Sequence, residues 1–414
     1  MLKADSQGLQ AHRWSIAALL GCGVLVNYLD RVNLSVAEAA LDHDFGVSKL
    51  LFGFLLGAYS WTYAACQLPS GVLLDRFGVS RVGRAGTFLW SAASFAAALA
   101  PGITSLFAAR LLLGVGEAPT FPANAKAIGL WFPERERGLP TALFDAAAKL
   151  GPGIGTPLVG ILLIKLGWRW SFAFTGCVSL LYFFWFFRSY RDPPVASAPT
   201  AQRTGVPLSA LLKERKVLGL ALGFATYNYT FYLLLTWLPS YLAHTFKLDL
   251  LSSVLFTSVP WLIAGTIDLV VGGWMVDYLI RRGRDASRVR RFVLILGTAL
   301  GVGILGAAIP SSPWVTIAWI TLAIGGLSAA APVGWSIPAL IAPPDSAGRV
   351  GGIMNFFSQI AAITAPVVTG LLAEVTHSFV LGFVVAGVLV IFGVASYLLL
   401  LGRIEPVVIP QPAA

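Results

Sequence analysis

Four ionised side chains stand within stretches that otherwise read as membrane-spanning helices. Asp30 and Arg31 lie in residues 20–36, and Arg110 and Glu117 in residues 107–129. A charge at the bilayer centre costs about 2.5–3.5 kcal/mol on insertion scales. A lipid-facing position offers nothing to offset that, so the four are expected to face a water-filled cavity or one another. These residue types suit the coupled movement of protons and an anion. A carboxylate can take up and release a proton; an arginine keeps its charge and forks onto a carboxylate through two hydrogen bonds. An anion entering beside the arginine alters the charge balance around the carboxylate, which ties proton occupancy to anion occupancy. Arg110 and Glu117 are two helical turns apart and share one helix face, and Asn124 continues that stripe. The same residues also allow a static reading, with Arg110–Glu117 and Asp30–Arg31 as ion pairs that hold helices together. Breaking such a pair costs about 3–5 kcal/mol.

The elements that must position these groups follow from composition. The chain has 414 residues, 57% hydrophobic and only 12% charged, against about 25% charged in soluble domains. Such a chain cannot dress a water-facing surface, so lipid is its expected solvent. Cut at its charged clusters, it divides into twelve apolar stretches between residues 14 and 402, each near the length of about 20 residues that crosses the hydrocarbon layer. They lack the alternation of a membrane barrel. The expected fold class is therefore an all-α integral membrane protein with twelve transmembrane helices.

The net charge of +10 is distributed by topology and does not mark a nucleic-acid surface. Most Lys and Arg fall on one side of the membrane, including Arg76, Arg81, Arg84, Lys213, Arg215, Lys216 and the run at 281–291. The positive-inside rule makes that side cytoplasmic, and an even number of spans places both termini there. The N-terminal apolar run is too long for a cleaved signal and carries Asp30 and Arg31. Cys22, Cys66 and Cys177 sit inside spans without paired spacing, which argues against disulfides or a metal site and suggests small core residues.

The longest polar interruption follows the sixth span. It divides the chain into a six-helix bundle at 1–190, a cytoplasmic linker at 191–216 and a second six-helix bundle at 217–414. Internal similarity supports the split: GVLLDRFG at 71–78 follows span two, and GWMVD at 273–277 follows span eight. Two related halves facing each other suggest a transporter with its substrate bound midway between them.

The segment GVLLDRFGVSR at 71–81 resembles the loop motif of the major facilitator superfamily, with Ser80 at one of its basic positions. The conformational gate expected from it comprises Gly71, Asp75, Arg76, Gly78 and Arg81, with Asp277 as the second-half counterpart. Gly71 is expected to let two helices approach closely. Asp75 and the nearby arginines are expected to form charge-assisted hydrogen bonds that break as the halves rock.

Further strings narrow the resemblance: NYLDRVNLSVA at 27–37, GEAPTFPANAKAIGLWFPERERG at 116–138, GWRWSF at 167–172, TWLPSYL at 236–242 and GGIMNFFSQIAAITAPVVTG at 351–370. Together they resemble the anion:cation symporter family, whose members mostly move organic anions, commonly with protons. The resemblance implies that Asp30 and Glu117 handle protons. It also implies that Tyr28, Arg31, Tyr63, Arg110, Trp335 and Asn355 form the substrate site, Arg110 by tuning the carboxylate. Where the galactonate-type carriers have a Gln in span five, Ala148 stands here beside Lys149. The substrate implied is a sugar acid: a hexonate, hexuronate or aldarate. A non-sugar carboxylate (an aromatic acid, tartrate or phthalate), proton-coupled export, and a membrane sensor that moves nothing stay open as alternatives.

Tyr28, Asn33, Tyr63, Asn228, Ser336, Asn355 and Gln359 could serve a substrate's hydroxyls, and Trp335 and Tyr229 could pack on its carbon chain. Asp145 and Lys149 are four apart in span five and could form a helix-stabilising pair or contact substrate. Lys126 is expected to reach towards the cytoplasmic interface. Asp268 is a lone carboxylate in span eight, for which a protonated or hydrogen-bonded structural role leads. No P-loop, nucleophile–base pair or metal cluster is legible. The expectation is thus a non-enzyme without cofactor, monomeric in the inner membrane, whose partners are a small organic anion, protons and lipid.

Overall fold

The computed structural model of the protein describes residues 2–133, 136–193, 206–309, 311–343 and 346–407. Much of the linker expected at 191–216 therefore lies outside the described residues. The described chain is helical throughout, and its order follows the apolar stretches. The first half holds α1 (Leu2–Val36), α2 (Glu38–Phe45), α3 (Lys49–Ala98), α4 (Ile103–Glu117), α5 (Thr120–Trp131), α6 (Gly138–Leu166) and α7 (Trp168–Ser189). After the short α8 (Leu208–Leu211), the second half holds α9 (Arg215–Phe246) and α10 (Leu250–Ile267). Next come α11 (Val276–Arg281), α12 (Ala286–Gly301), α13 (Pro313–Ile341), α14 (Ala347–Thr376) and α15 (Val380–Ser396).

Nine helical segments among the described residues are long and apolar enough to cross a membrane. The two arms of α3 and the α4–α5 segment supply the other three crossings. The fold is thus the expected twelve transmembrane helices in two six-helix halves. Spans two and three are one helical run interrupted at Gly78, whose φ of 80° and ψ of 169° no other residue type adopts comfortably. The turn is further fixed by Asp192, whose carboxylate accepts from Ser80 N at 3.0 Å and occupies the space a Cβ at Gly78 would need.

Span four departs from the sequence reading. It breaks at Ala118–Pro119 because Pro119 and Pro122 bring no N–H to the helical ladder. Asn124 consequently sits on α5, yet it still faces α1 as Arg110 and Glu117 do; its amide donates to the Leu20 carbonyl. The cysteines also differ from expectation. Cys22 and Cys177 are exposed on the outer helix surface, which here faces lipid rather than water, and all three are free.

The halves meet along two seams. In one, Gly53 and Gly57 of α3 lie against the α14 backbone around Ile363–Pro366, and Gly370 of α14 lies against Lys49. In the other, Gly153 and Gly160 of α6 meet Leu262 and Val254 of α10, and Gly265 of α10 meets Leu150. Small residues at these points let the helices approach closely.

Candidate functional site

Between the halves lies a cavity of about 1690 Å³. It opens on the face that carries the amino end of α1, the carboxyl end of α11 and the amino end of α14. Arg137, Arg281 and Arg290 stand at its mouth with Glu136 and Asp277. The opposite face is closed by contacts between halves. Lys49 Nζ lies 3.1 Å from both Glu38 Oε1 and His244 Nε2, and Leu50 N donates to Glu374 Oε2 at 2.7 Å. Ser35 Oγ donates to the Thr236 carbonyl. The molecule is therefore open on one side only.

Arg31 projects from α1 at the inner end of this cavity. Its guanidinium lies over the rings of Tyr28 at 4.3 Å, Tyr59 at 4.5 Å and Tyr63 at 5.5 Å. Nε and Nη2 both reach Glu117 Oε2, at 2.9 and 2.8 Å. Glu117 is the last residue of α4 and is fully buried. Glycines bring it there. Side chains at Gly114 and Gly116 would collide with the Tyr59 carbonyl and the Trp90 backbone of α3. An aromatic surround favours a cation and excludes water, so the arginine's charge is balanced by one carboxylate and little else.

Asp30 and Arg31 are consecutive, so their side chains leave α1 about 100° apart. Asp30 turns away from the cavity into the first half, where its Oδ2 accepts from Ser179 Oγ of α7 at 2.6 Å. Arg110 lies between the two carboxylate environments. Its Nη1 is 3.5 Å from the Asp30 carbonyl, and its guanidinium is 5.7 Å from the Tyr59 ring. The pairing differs from the static expectation. Arg31 pairs with Glu117 across helices; neither Asp30–Arg31 nor Arg110–Glu117 is an ion pair among the described residues. One-helix spacing cannot show that, because the partner comes from another span.

Tyr28, Arg31, Tyr63, Trp335 and Asn355 line the cavity; Arg110, Asp30 and Glu117 lie behind its wall. Trp335 is 44% exposed and stands edge-on to Phe224 at 5.1 Å. Asn228, Ser336 and Gln359 also line the cavity. Asn33 does not. It is buried within the first half, joined to Thr175 and Ser171 at 3.0 Å, and so is unavailable to a substrate. Tyr229 is buried on α9 away from the lining. Sequence reasoning missed Tyr59, Tyr227 and Tyr232, of which the last two line the cavity. The four-residue spacing of Tyr59 and Tyr63 was the available signal for the first.

The loop motif is assembled differently from expectation. Asp75 pairs with Lys126 of α5, whose Nζ donates to Asp75 Oδ1 at 2.6 Å and to the Leu74 carbonyl at 2.9 Å. No ion pair joins Asp75 to an arginine among the described residues. Arg84 instead donates to the Phe187 and Tyr190 carbonyls, and Arg76 lies over Phe77. Arg81 is exposed, and Asp277 lines the cavity mouth. A Cβ at Gly71 would meet nothing within 4 Å, so Gly71 does not serve the close approach expected of it. It belongs to the side on which the halves stand apart.

A second charged cluster lies where α6 meets span eight. Lys149 Nζ is 2.8 Å from Asp145 Oδ2 on its own helix and 2.7 Å from Asp268 Oδ2 on the other half. Asp268 is thus not a lone carboxylate. It opens a π-helical stretch, Asp268–Met275, between α10 and α11. Asp145 and Lys149 reach the cavity lining, whereas Asp268 is fully buried.

Comparison with known proteins adds the following. The description Major Facilitator Superfamily matches residues 20–360. An uncharacterised transporter, YybO of Bacillus subtilis (strain 168), is 40% identical over 95% of either chain. The D-galactonate transporter of Escherichia coli O6:H1 is 30% identical over 95% of this chain and 97% of that one. Among solved structures, a bacterial homologue of the human lysosomal transporter Spinster superposes with a TM-score of 0.76. That match is 16% identical and covers 94% of this chain and 96% of that one.

Proposed function

Because the chain belongs to the Major Facilitator Superfamily, we propose that it is a proton-coupled secondary transporter that imports a sugar acid by alternating access. The observation that carries this reading is the Arg31–Glu117 pair, held in an aromatic cage at the wall of the cavity between the halves. An anion that reaches Arg31 competes with Glu117 for the same guanidinium. Arg31 and Glu117 together are neutral; with a bound carboxylate the group carries one negative charge in a poorly hydrated place. A proton on Glu117 restores balance, so anion binding and proton binding favour each other. Asp30 is the second proton site, and Arg110 sets its electrostatic surroundings. The hydroxyls of a sugar acid find Tyr28, Tyr63, Asn355 and Gln359 around the same space, and Trp335 offers a face to its carbon chain.

In this reading residues 1–190 and 217–414 are the two rocking bodies, joined by the linker at 191–216. The open face is cytoplasmic, both termini lie on that side of the inner membrane, and the protein works as a monomer. Kinship with the D-galactonate transporter supports a hexonate as the first substrate to try. The aromatic wall formed by Phe224, Tyr227, Phe231, Tyr232 and Trp335 favours a second reading, in which the cargo is an aromatic carboxylate.

Uptake into proteoliposomes bearing an inward proton gradient tests the proposal. The expected result is accumulation of labelled D-galactonate, or of another sugar acid found by thermal-shift screening, that collapses when a protonophore is added. Binding without any uptake would replace the transporter by a sensor. Preference for aromatic acids over sugar acids would favour the second reading.

A further inference from the structure

We propose that Asp145, Lys149 and Asp268 form a further proton site, shared between the two halves and filled from the cavity, which carries one proton per transport cycle. The inference rests on the reading of this protein as a proton-coupled transporter.

Three observations support it. The first is charge. Two carboxylates flank a single ammonium at 2.8 and 2.7 Å, so the cluster is one positive charge short of neutral. An uncompensated charge away from water is costly, and a bound proton is the smallest group that removes it. Asp145 and Asp268 also stand close enough to each other to hydrogen-bond when one of them is protonated. Sharing a single proton is the usual resolution for two carboxylates in one site.

The second is placement. Lys149 and Asp145 belong to α6, Asp268 to the other half. The glycine seam continues directly above the cluster, where Gly153 and Gly265 hold α6 against α10. Any sliding of one half against the other changes the Lys149–Asp268 distance while leaving the Asp145–Lys149 pair, four residues apart on one helix, intact. The π-helical stretch that starts at Asp268 is the irregular segment of span eight, and such widened turns often mark functional positions in helices.

The third is access. Asp145 has an 11% exposed side chain and lines the cavity, whereas Asp268 has none exposed. A proton can enter at Asp145 and be passed to the buried partner. Among the described residues the other titratable group facing the cluster is Tyr227 of α9, which lines the cavity beside it; Tyr28 of α1 packs against Gly151, two residues past Lys149 on a different face of α6. The packed faces of α10 and α13 bring hydroxyl and apolar side chains only.

Two single variants separate the outcomes. Asp145→Asn and Asp268→Asn each leave Lys149 with one carboxylate, a neutral pair, so both are expected to fold. In purified protein, infrared difference spectra across a pH titration should show a protonated-carboxyl band in the parent protein. One component of that band, beyond those of Asp30 and Glu117, should be missing from one or both variants. A band unchanged in both overturns the proposal, and this measurement does not depend on the substrate being correctly identified or on transport occurring at all. Reversal-potential measurements on proteoliposomes then count protons per substrate. The expected ratio falls by one in Asp145→Asn. An unchanged ratio overturns the proposal and leaves the cluster as a structural tie between halves.

Discussion

At the scale of single residues, the arrangement turns on which carboxylate balances Arg31. Arg31→Ala should abolish uptake while leaving the protein folded in detergent, because it removes the anion's grip and the cation paired with Glu117. Calorimetry checks the cause, and retained high-affinity binding would exclude Arg31 as the anchor. Arg31→Lys should also transport poorly, since an ammonium cannot reproduce the guanidinium's fork or its stacking on three tyrosines. Glu117→Gln and Asp30→Asn should each abolish accumulation against a gradient. Exchange of labelled for unlabelled substrate, which needs no net proton movement, should survive at least in Asp30→Asn, because Asp30 is turned towards Ser179 and away from the cavity. Loss of exchange there, in a well-folded variant, would make Asp30 part of the binding site itself.

At the scale of elements, local devices hold helices in place on both faces of the membrane. On the open face, Asp75 pairs with Lys126 although its side chain is 82% exposed. Such a pair contributes only about 0–1 kcal/mol to stability. Asp75→Asn should therefore leave the melting temperature nearly unchanged and substrate binding intact while slowing the transport cycle. Normal transport rates would mean that this loop only fixes topology. On the closed face, α2 is fastened to α7 through Asp44. Its Oδ2 accepts from Trp168 Nε1 at 2.8 Å and lies 3.7 Å from Arg169. The hydrogen bonds from Trp168 and His43 hold the Asp44 carboxyl below its ordinary range. A depressed carboxyl contributes stability above its unfolded-state value and loses it as pH falls through the folded-state value. Asp44→Asn should thus lower the melting temperature at neutral pH, and the gap from the parent protein should close in acid. A gap that persists unchanged at low pH would assign the effect to packing instead.

At the scale of the whole molecule, the proposed scheme is electrogenic. With a monoanion, one proton makes the cycle neutral; each further proton adds one positive charge. For each net charge, one counting Asp30 and Glu117 alone and two with the further proton at the Asp145–Lys149–Asp268 cluster, a potential of 100 mV, negative inside, contributes about 2.3 kcal/mol to accumulation. That corresponds to a roughly 50-fold gradient, since about 1.4 kcal/mol is tenfold. Proteoliposomes loaded with potassium and treated with valinomycin, at equal pH on both sides, should take up substrate in response to the imposed potential. Uptake indifferent to that potential would reduce the scheme to a single proton.

The sequence by itself determined the solvent and the plan. Long apolar stretches with so few charges can be stable only in lipid, so the number of spans and the two-half division were legible without coordinates. The expense of a charge in the bilayer likewise singled out Asp30, Arg31, Arg110 and Glu117. The partners were not legible, because helical spacing relates residues on one helix and is silent about the facing helix. Arg31–Glu117, Asp75–Lys126 and Lys149–Asp268 each join different spans, and each replaced a pairing or a solitary role read from local spacing. The fate of Asn33 and Asn124 was hidden for a related reason: a polar residue in a span meets either water or a neighbouring helix, and its own helix does not say which. Tertiary packing decided these points, with glycines and prolines setting how closely the helices approach and where they break.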